Sequence, residues 1–180
     1  MFIDPRMPRP DECVLRPLLD RRARETPDKV FAVFEDGESW TYGELRRKVA
    51  RVAASLQQAG VSQGDFVLSW QGNGPATLLT WFGLNYLGAV YVPINTSYRG
   101  RLLEHVVANS DAALMVGDAR LIDRLGEIDL ARLRRVISVG ETDWRDPRLE
   151  ILPETTLSSG PDEPAPPPRE IAPWDTQNVI

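Results

Sequence analysis

Gly72-Asn73-Gly74-Pro75 stands where an apolar run hands over to a helical pattern. Glycine turns at such junctions can cradle phosphate, because free backbone N–H groups and the positive end of the helix dipole point the same way. A dinucleotide fingerprint would need a third glycine where Thr77 stands. It would also need an acid at the end of the next strand, which reads Pro93-Ile94-Asn95 instead. Pro75 removes one N–H as well, so the stretch reads as a tight turn. Arg99 and Arg101 flank Gly100 just past the same sheet edge. Two guanidiniums beyond the carboxyl ends of parallel strands could grip a phosphate, and the plainer alternative is a solvated helix start. Arg46, Arg47, Lys48 and Arg51 spread over helical turns with acids nearby and read as a wet face. One cysteine, Cys13, and one histidine, His105, cannot assemble a zinc site. Paired carboxylates, a nucleophile beside a base and a P-loop pattern are all missing, so the residues alone present no catalytic constellation.

These residues must be positioned by the stretch from Phe66 to Tyr98, which carries no charged side chain in a chain that is 26% charged. Phe66–Trp70 and Val90–Ile94 are short apolar runs bounded by Gly, Asn and Pro, the pattern of buried strands. Between them Leu78, Leu79, Trp81, Phe82, Leu84, Tyr86 and Leu87 crowd nearly every face of a helix, which predicts burial. Strand, helix and strand make a βαβ unit in a parallel sheet covered on both faces. A membrane span is the rival, but Thr77, Thr80, Gly83, Asn85 and Gly88 interrupt the run, and it falls short of the roughly 20 residues a bilayer needs.

Upstream, Val14, Leu15, Leu18 and Leu19 form one stripe of a helix that Thr26-Pro27 stops. Val30–Phe34, an Asp36-Gly37 turn and Ser39–Thr41 predict a hairpin. Thr41 and Glu44 fit a capping box opening a helix that Gly60 ends in a left-handed stop. Downstream, Leu102, Leu103, Val106 and Val107 predict the inner face of a helix, with Glu104 and His105 outward. Ala112–Val116 reads as a strand, Asp118 as the cap of a short helix to Leu125, and Arg135–Val139 as a further strand. The order is that of an open, mainly parallel α/β sheet flanked by helices. The expected organisation is an N-terminal arm over 1–12, an α/β subdomain over 13–140, an irregular, acidic and Pro-rich connector over 141–170, and the start of a next subdomain over 171–180. Asn178-Val179-Ile180 resembles the opening of a strand, so a truncation is expected.

The formal net charge of -5 and pI near 5.0 argue against nucleic acid as a partner. The N-terminus, MFIDPRMPRP, lacks the apolar core of a secretory signal, which makes cytoplasmic the expectation.

An ordered series of segments resembles a known family. It comprises Thr41-Tyr42-Gly43-Glu44-Leu45, Gly60-Val61, Gly64-Asp65-Phe66-Val67, and Trp81-Phe82-Gly83-Leu84 through Leu87-Gly88-Ala89-Val90-Tyr91-Val92-Pro93-Ile94-Asn95-Thr96. It is similar to the N-terminal part of the adenylate-forming, AMP-binding enzymes: acyl-CoA synthetases, luciferases and adenylation domains. Asn95-Thr96-Ser97-Tyr98-Arg99-Gly100 with Leu103 and His105 resembles the crotonobetaine/carnitine-CoA ligase type. The resemblance implies a ligase that uses ATP, Mg²⁺ and CoA to convert a carboxylic acid to an acyl-adenylate and then to an acyl-CoA. It further implies that Asp175–Ile180 leads into a phosphate loop, and that the loop, the acyl pocket and the catalytic lysine lie downstream. No catalytic residue is then expected in this chain, which is predicted to be inactive alone and to bind no cofactor strongly. Arg99 and Arg101 are the residues carried over, as contacts to a CoA phosphate. Alternatives are a non-catalytic binding module and an adenylation domain that loads a carrier protein. A fragment is also expected to self-associate, as a homodimer or otherwise, through an exposed sheet edge.

Overall fold

A computed structural model describes residues 8–9 and 12–179. Most of the expected N-terminal arm, and Ile180 with it, lies outside the described residues. The elements follow the apolar pattern: α1 is Leu15–Glu25, β1 Val30–Val33, β2 Ser39–Thr41 and α2 Tyr42–Gln58. Then come β3 Phe66–Trp70, α3 Pro75–Leu87, β4 Val90–Pro93, α4 Gly100–Asn109 and β5 Leu114–Asp118. A 3-10 helix (Ile122–Glu127), β6 (Arg135–Val139), β7 (Glu150–Leu152) and a second 3-10 helix (Glu154–Ser158) complete the order.

β1 and β2 pair antiparallel as the Asp-Gly turn predicts. The other five strands form one sheet in the order β4-β3-β5-β6-β7, every pair parallel. Alternate residues face opposite sides of a strand, so each strand feeds two cores. Val67, Tyr91, Val116 and Ile137 join Leu19, Leu45, Val49 and Leu84 on the side of α1, α2 and α3. Leu68, Trp70, Met115 and Val136 join Leu103, Val107, Ile122 and Leu125 on the other. The sheet is covered on both faces, as a wholly parallel sheet must be.

The cap of α2 shows how local chemistry sets an element's start. Thr41 Oγ1 accepts from Glu44 N (3.2 Å) while Glu44 Oε2 accepts from Thr41 N (2.8 Å). A cap of this kind stabilises a helix by about 1 kcal/mol. At the far end Gly60 takes φ 89°, the left-handed conformation expected of the stop, and Val61 N donates back to Leu56 O.

Several expectations are corrected. Leu102 is 63% exposed, so the inner face of α4 rests on Leu103 and Val107, with Val106 half-buried. Asp118 caps no helix: it ends β5, and its carboxylate accepts from the Arg120 N–H (2.9 Å) and guanidinium instead. Those bonds hold its pKa below the usual carboxylate range, the Arg120 side chain contributing most. The N-terminal half of α3 reaches the surface, where Trp81 is 38% exposed. Within the stretch predicted to be irregular, β7 adds a fifth strand. It is held by its pairing with β6, and just before it the Arg148 guanidinium donates to the Ile128 carbonyl (2.9 Å) and to Asp146, lowering that carboxyl to about 2. No helix among the described residues is long and apolar enough to cross a membrane.

Candidate functional site

β3 and β4 end side by side, and beyond their carboxyl ends lies a cavity of about 350 Å³. An open α/β sheet binds ligands at this end because strand-to-helix turns diverge there and leave a crevice. Its wall is Ser69, Gln71 and Tyr91 from the strand ends, Gly72, Asn73 and Thr77 from the turn into α3, and Asn95 and Thr96 after β4.

The polar side chains are wired together rather than independent. Gln71 Nε2 donates to Ser69 Oγ and to Thr80 Oγ1, both at 3.1 Å, and Thr80 donates in turn to Ala76 O at 2.9 Å. Gln71 Oε1 is buried and has no hydrogen-bond partner among the described residues. A buried amide oxygen without a donor costs about 1–3 kcal/mol, so it favours any ligand N–H or hydroxyl that reaches it. Tyr91 stacks on Trp81 with centroids 5.7 Å apart. Burial pushes its phenol pKa up, against the lowering effect of the Ser69 hydroxyl, so it stays a neutral donor. The Thr77 hydroxyl donates to Gly72 O and closes the glycine turn on itself.

The floor of the 95–98 segment is equally determined. Trp70 Nε1 donates to Asn95 O at 3.2 Å and Arg124 Nη1 to Thr96 O at 2.9 Å. Arg124 also sits 5.7 Å from the Trp70 ring centroid. Asn95 Oδ1 accepts from Ser97 N at 2.9 Å, tightening the turn before α4. No charged residue lines the cavity. Hydroxyls, amides and a neutral phenol can orient a polar group, but they supply neither a general base nor an activated nucleophile.

Arg99 and Arg101 stand at the mouth of α4, Arg99 as its N-cap residue and Arg101 in its first turn. Both are exposed, neither is in the cavity wall, and neither makes a hydrogen bond or ion pair among the described residues. Two free guanidiniums at a helix N-terminus fit an anionic group such as phosphate. Among the described residues no three His, Cys, Asp or Glu side chains gather in a group that could hold a metal ion. The wall residues Ser69, Gln71, Thr77 and Tyr91 escaped the sequence reading. The available signal was the set of polar residues inside an otherwise apolar βαβ unit.

The comparison with known proteins extends over the same elements. A feruloyl-CoA synthase of Amycolatopsis is 38% identical over 133 residues, covering 74% of this chain and 27% of its own length. A crotonobetaine/carnitine–CoA ligase of Salmonella paratyphi A is 30% identical over 134 residues, covering 71% and 26%. The chain therefore spans about a quarter of the length of these relatives. The feruloyl-CoA synthase is the more similar of the two, so the resemblance stands at the level of acyl-CoA synthetases, of which the crotonobetaine/carnitine type is one among several. In structure, a long-chain-fatty-acid–CoA ligase from Archaeoglobus fulgidus superposes with a TM-score of 0.77 at 21% identity, over 99% of this chain and 36% of that one. With residues 19–180, from the last turns of α1 onward, matching the family described as AMP-binding enzyme, the chain belongs to that family.

Proposed function

We propose that these 180 residues are the N-terminal part of an ATP-dependent acyl-CoA ligase. In its first step a carboxylate oxygen attacks the α-phosphorus of ATP, forming an acyl-adenylate and releasing pyrophosphate. In the second the CoA thiol forms a C–S bond to the acyl carbon as the C–O bond to AMP breaks. The observation that carries the reading is the continuous match to the family across both faces of the sheet, supported by two CoA ligases among the relatives. The cavity wall, which has recognition groups and no acid–base pair, suits a scaffold that shapes one side of the substrate region. ATP–pyrophosphate exchange tests this. The purified chain is expected to give no exchange with any carboxylic acid, including ferulate, while a ligase of the relatives' full length gives it. Exchange by the chain alone would overturn the assignment of catalysis to other residues.

Arg99 and Arg101 are assigned to the 3′-phosphate of CoA, because they are the exposed, unpaired cations next to the cavity. In ¹⁵N spectra of the chain, millimolar CoA is expected to move the Arg99 and Arg101 signals more than dephospho-CoA does. Equal shifts from the two compounds would remove the assignment.

A further inference from the structure

The Pro-rich stretch after β7 is docked on α2. Gly160 N donates to Ser55 Oγ (2.9 Å), and a Cβ on Gly160 would lie 2.5 Å from Ser55 N and 2.8 Å from Ala54 C. Only a residue without a side chain can come so close. Asp162 then pairs with Arg51, and Glu163 with Arg46. Ala165 and Gln57 exchange two hydrogen bonds, at 2.8 and 3.4 Å. Arg46 is held from the other side as well, by Asp20 (2.9 Å) and by the Tyr86 hydroxyl (3.0 Å).

Residues 160–165 thus form a U-shaped loop along the outer face of α2, the face that the sequence presents as a solvated basic stripe. The chain enters the loop from the β7 edge of the sheet and leaves it for the opposite edge, where Tyr91 N donates to Gln177 O (2.9 Å) and Val179 N to Tyr91 O (3.1 Å). That second attachment is slight. At residues 177–179 it rests on one parallel bridge, Tyr91 to Asn178, and a hydrogen bond from Asn85 Nδ2 to Gln177 O (2.8 Å), and before them buried Ile171 packs on Gly88 while Arg169 N donates to Gln63 Oε1 (3.3 Å). Between the two runs Pro164 and Pro166–Pro168, stiff enough to transmit position from one end to the other. Arg169, bonded to Asp175 at 2.7 and 2.9 Å, continues the rigid path.

We propose that residues 160–165 are a salt-sensitive latch: docked on α2 it holds residues 177–179 in register beside β4, and released it frees them. Two of its fasteners are ion pairs with exposed acids, which dissolved salt screens, while the close approach of Gly160 and the hydrogen bonds to Ser55 and Gln57 are insensitive to salt. The latch therefore links the edge beside the candidate site to a contact on the far side of the first core cluster. This holds whether or not the chain serves a CoA ligase.

Hydrogen exchange on the 180-residue chain tests it, read at the Gly160, Ala165, Tyr91 and Val179 amides. Gly160→Ala is expected to speed exchange about tenfold or more at all four, with β5 and β6 unchanged, as for a local opening. The pair Asp162→Asn and Glu163→Gln, which touches no core residue, is expected to act in the same direction, and molar salt to act on the native chain but not further on that pair. If the Gly160 and Ala165 amides are released while Tyr91 and Val179 stay protected, the latch does not hold the edge and the proposal fails. It fails equally if neither variant releases the loop. Should Gly160→Ala unfold the chain, the charge-neutral pair decides by the same four amides.

Discussion

Trp70→Ala is expected to lower the unfolding free energy by about 3–5 kcal/mol, the range for emptying a large aromatic from a packed core. The indole is fully buried at the end of β3, among the side chains of α4 and the first 3-10 helix. Its loss leaves a cavity that neighbours on a rigid sheet cannot close. It also strips the Asn95 carbonyl of its donor and Arg124 of the ring beneath it. Stability and site are therefore lost together: the 95–98 turn, which forms part of the cavity wall, loses one of its two anchors. For a domain of this size the midpoint should fall by roughly 6–20 °C. Trp70→Phe keeps most of the volume and should lose about 1 kcal/mol through the missing N–H bond. Thermal and urea unfolding of both variants measures this, and an alanine variant within 1 kcal/mol of the parent would show that the site does not depend on this side chain.

Gly83→Leu is the second large effect, at about 2–3 kcal/mol of destabilisation. Gly83 lies on the face of α3 that meets α2, and a Cβ there would stand 2.9 Å from Val52 Cγ1 and 3.4 Å from Ala53 N. Valine has no spare rotamer on a helix to swing that methyl away, and the Ala53 backbone cannot yield. The two helices would have to separate, opening the first core cluster that Leu45, Val49 and Leu84 fill. Val52→Ala in the same chain removes the offending methyl and should recover a measurable part of the loss. A double-mutant cycle by urea unfolding checks the coupling; additive effects would mean that the helices do not meet where the structure puts them.

Gly83 also shows how much could be read beforehand. In sequence it is one of several interruptions that argue against a membrane span, an inference from local polarity alone. That it is small because a second helix passes against it depends on packing, which no local pattern records. β7 escaped notice for a related reason. Three residues, Glu150–Leu152, are too few to establish an alternation, and the strand is recognisable only from its pairing with β6. Leu102 satisfies the helical period yet faces outward, since periodicity gives a stripe's direction but not its width. Among charges the gap is wider. Arg46 and Arg51 read in sequence as part of a wet face, yet Arg46 is half-buried against Asp20 and Tyr86, and their partners Glu163 and Asp162 come from more than 100 residues later in the chain.

What the sequence determined by itself is the framework. Apolar runs, turn residues and the Thr41–Glu44 cap act over a few residues, so they specify strand, helix and boundary without reference to the rest of the chain. The ordered set of segments from Thr41 to Thr96 sufficed to indicate the family. Tertiary structure alone decided what lies beside what: the cavity where Ser69, Gln71, Thr77 and Tyr91 converge, and the docking of Gly160 on Ser55. Those relations are between residues distant in sequence, set by the closing of one sheet under two layers of helices, and local chemistry carries no record of them.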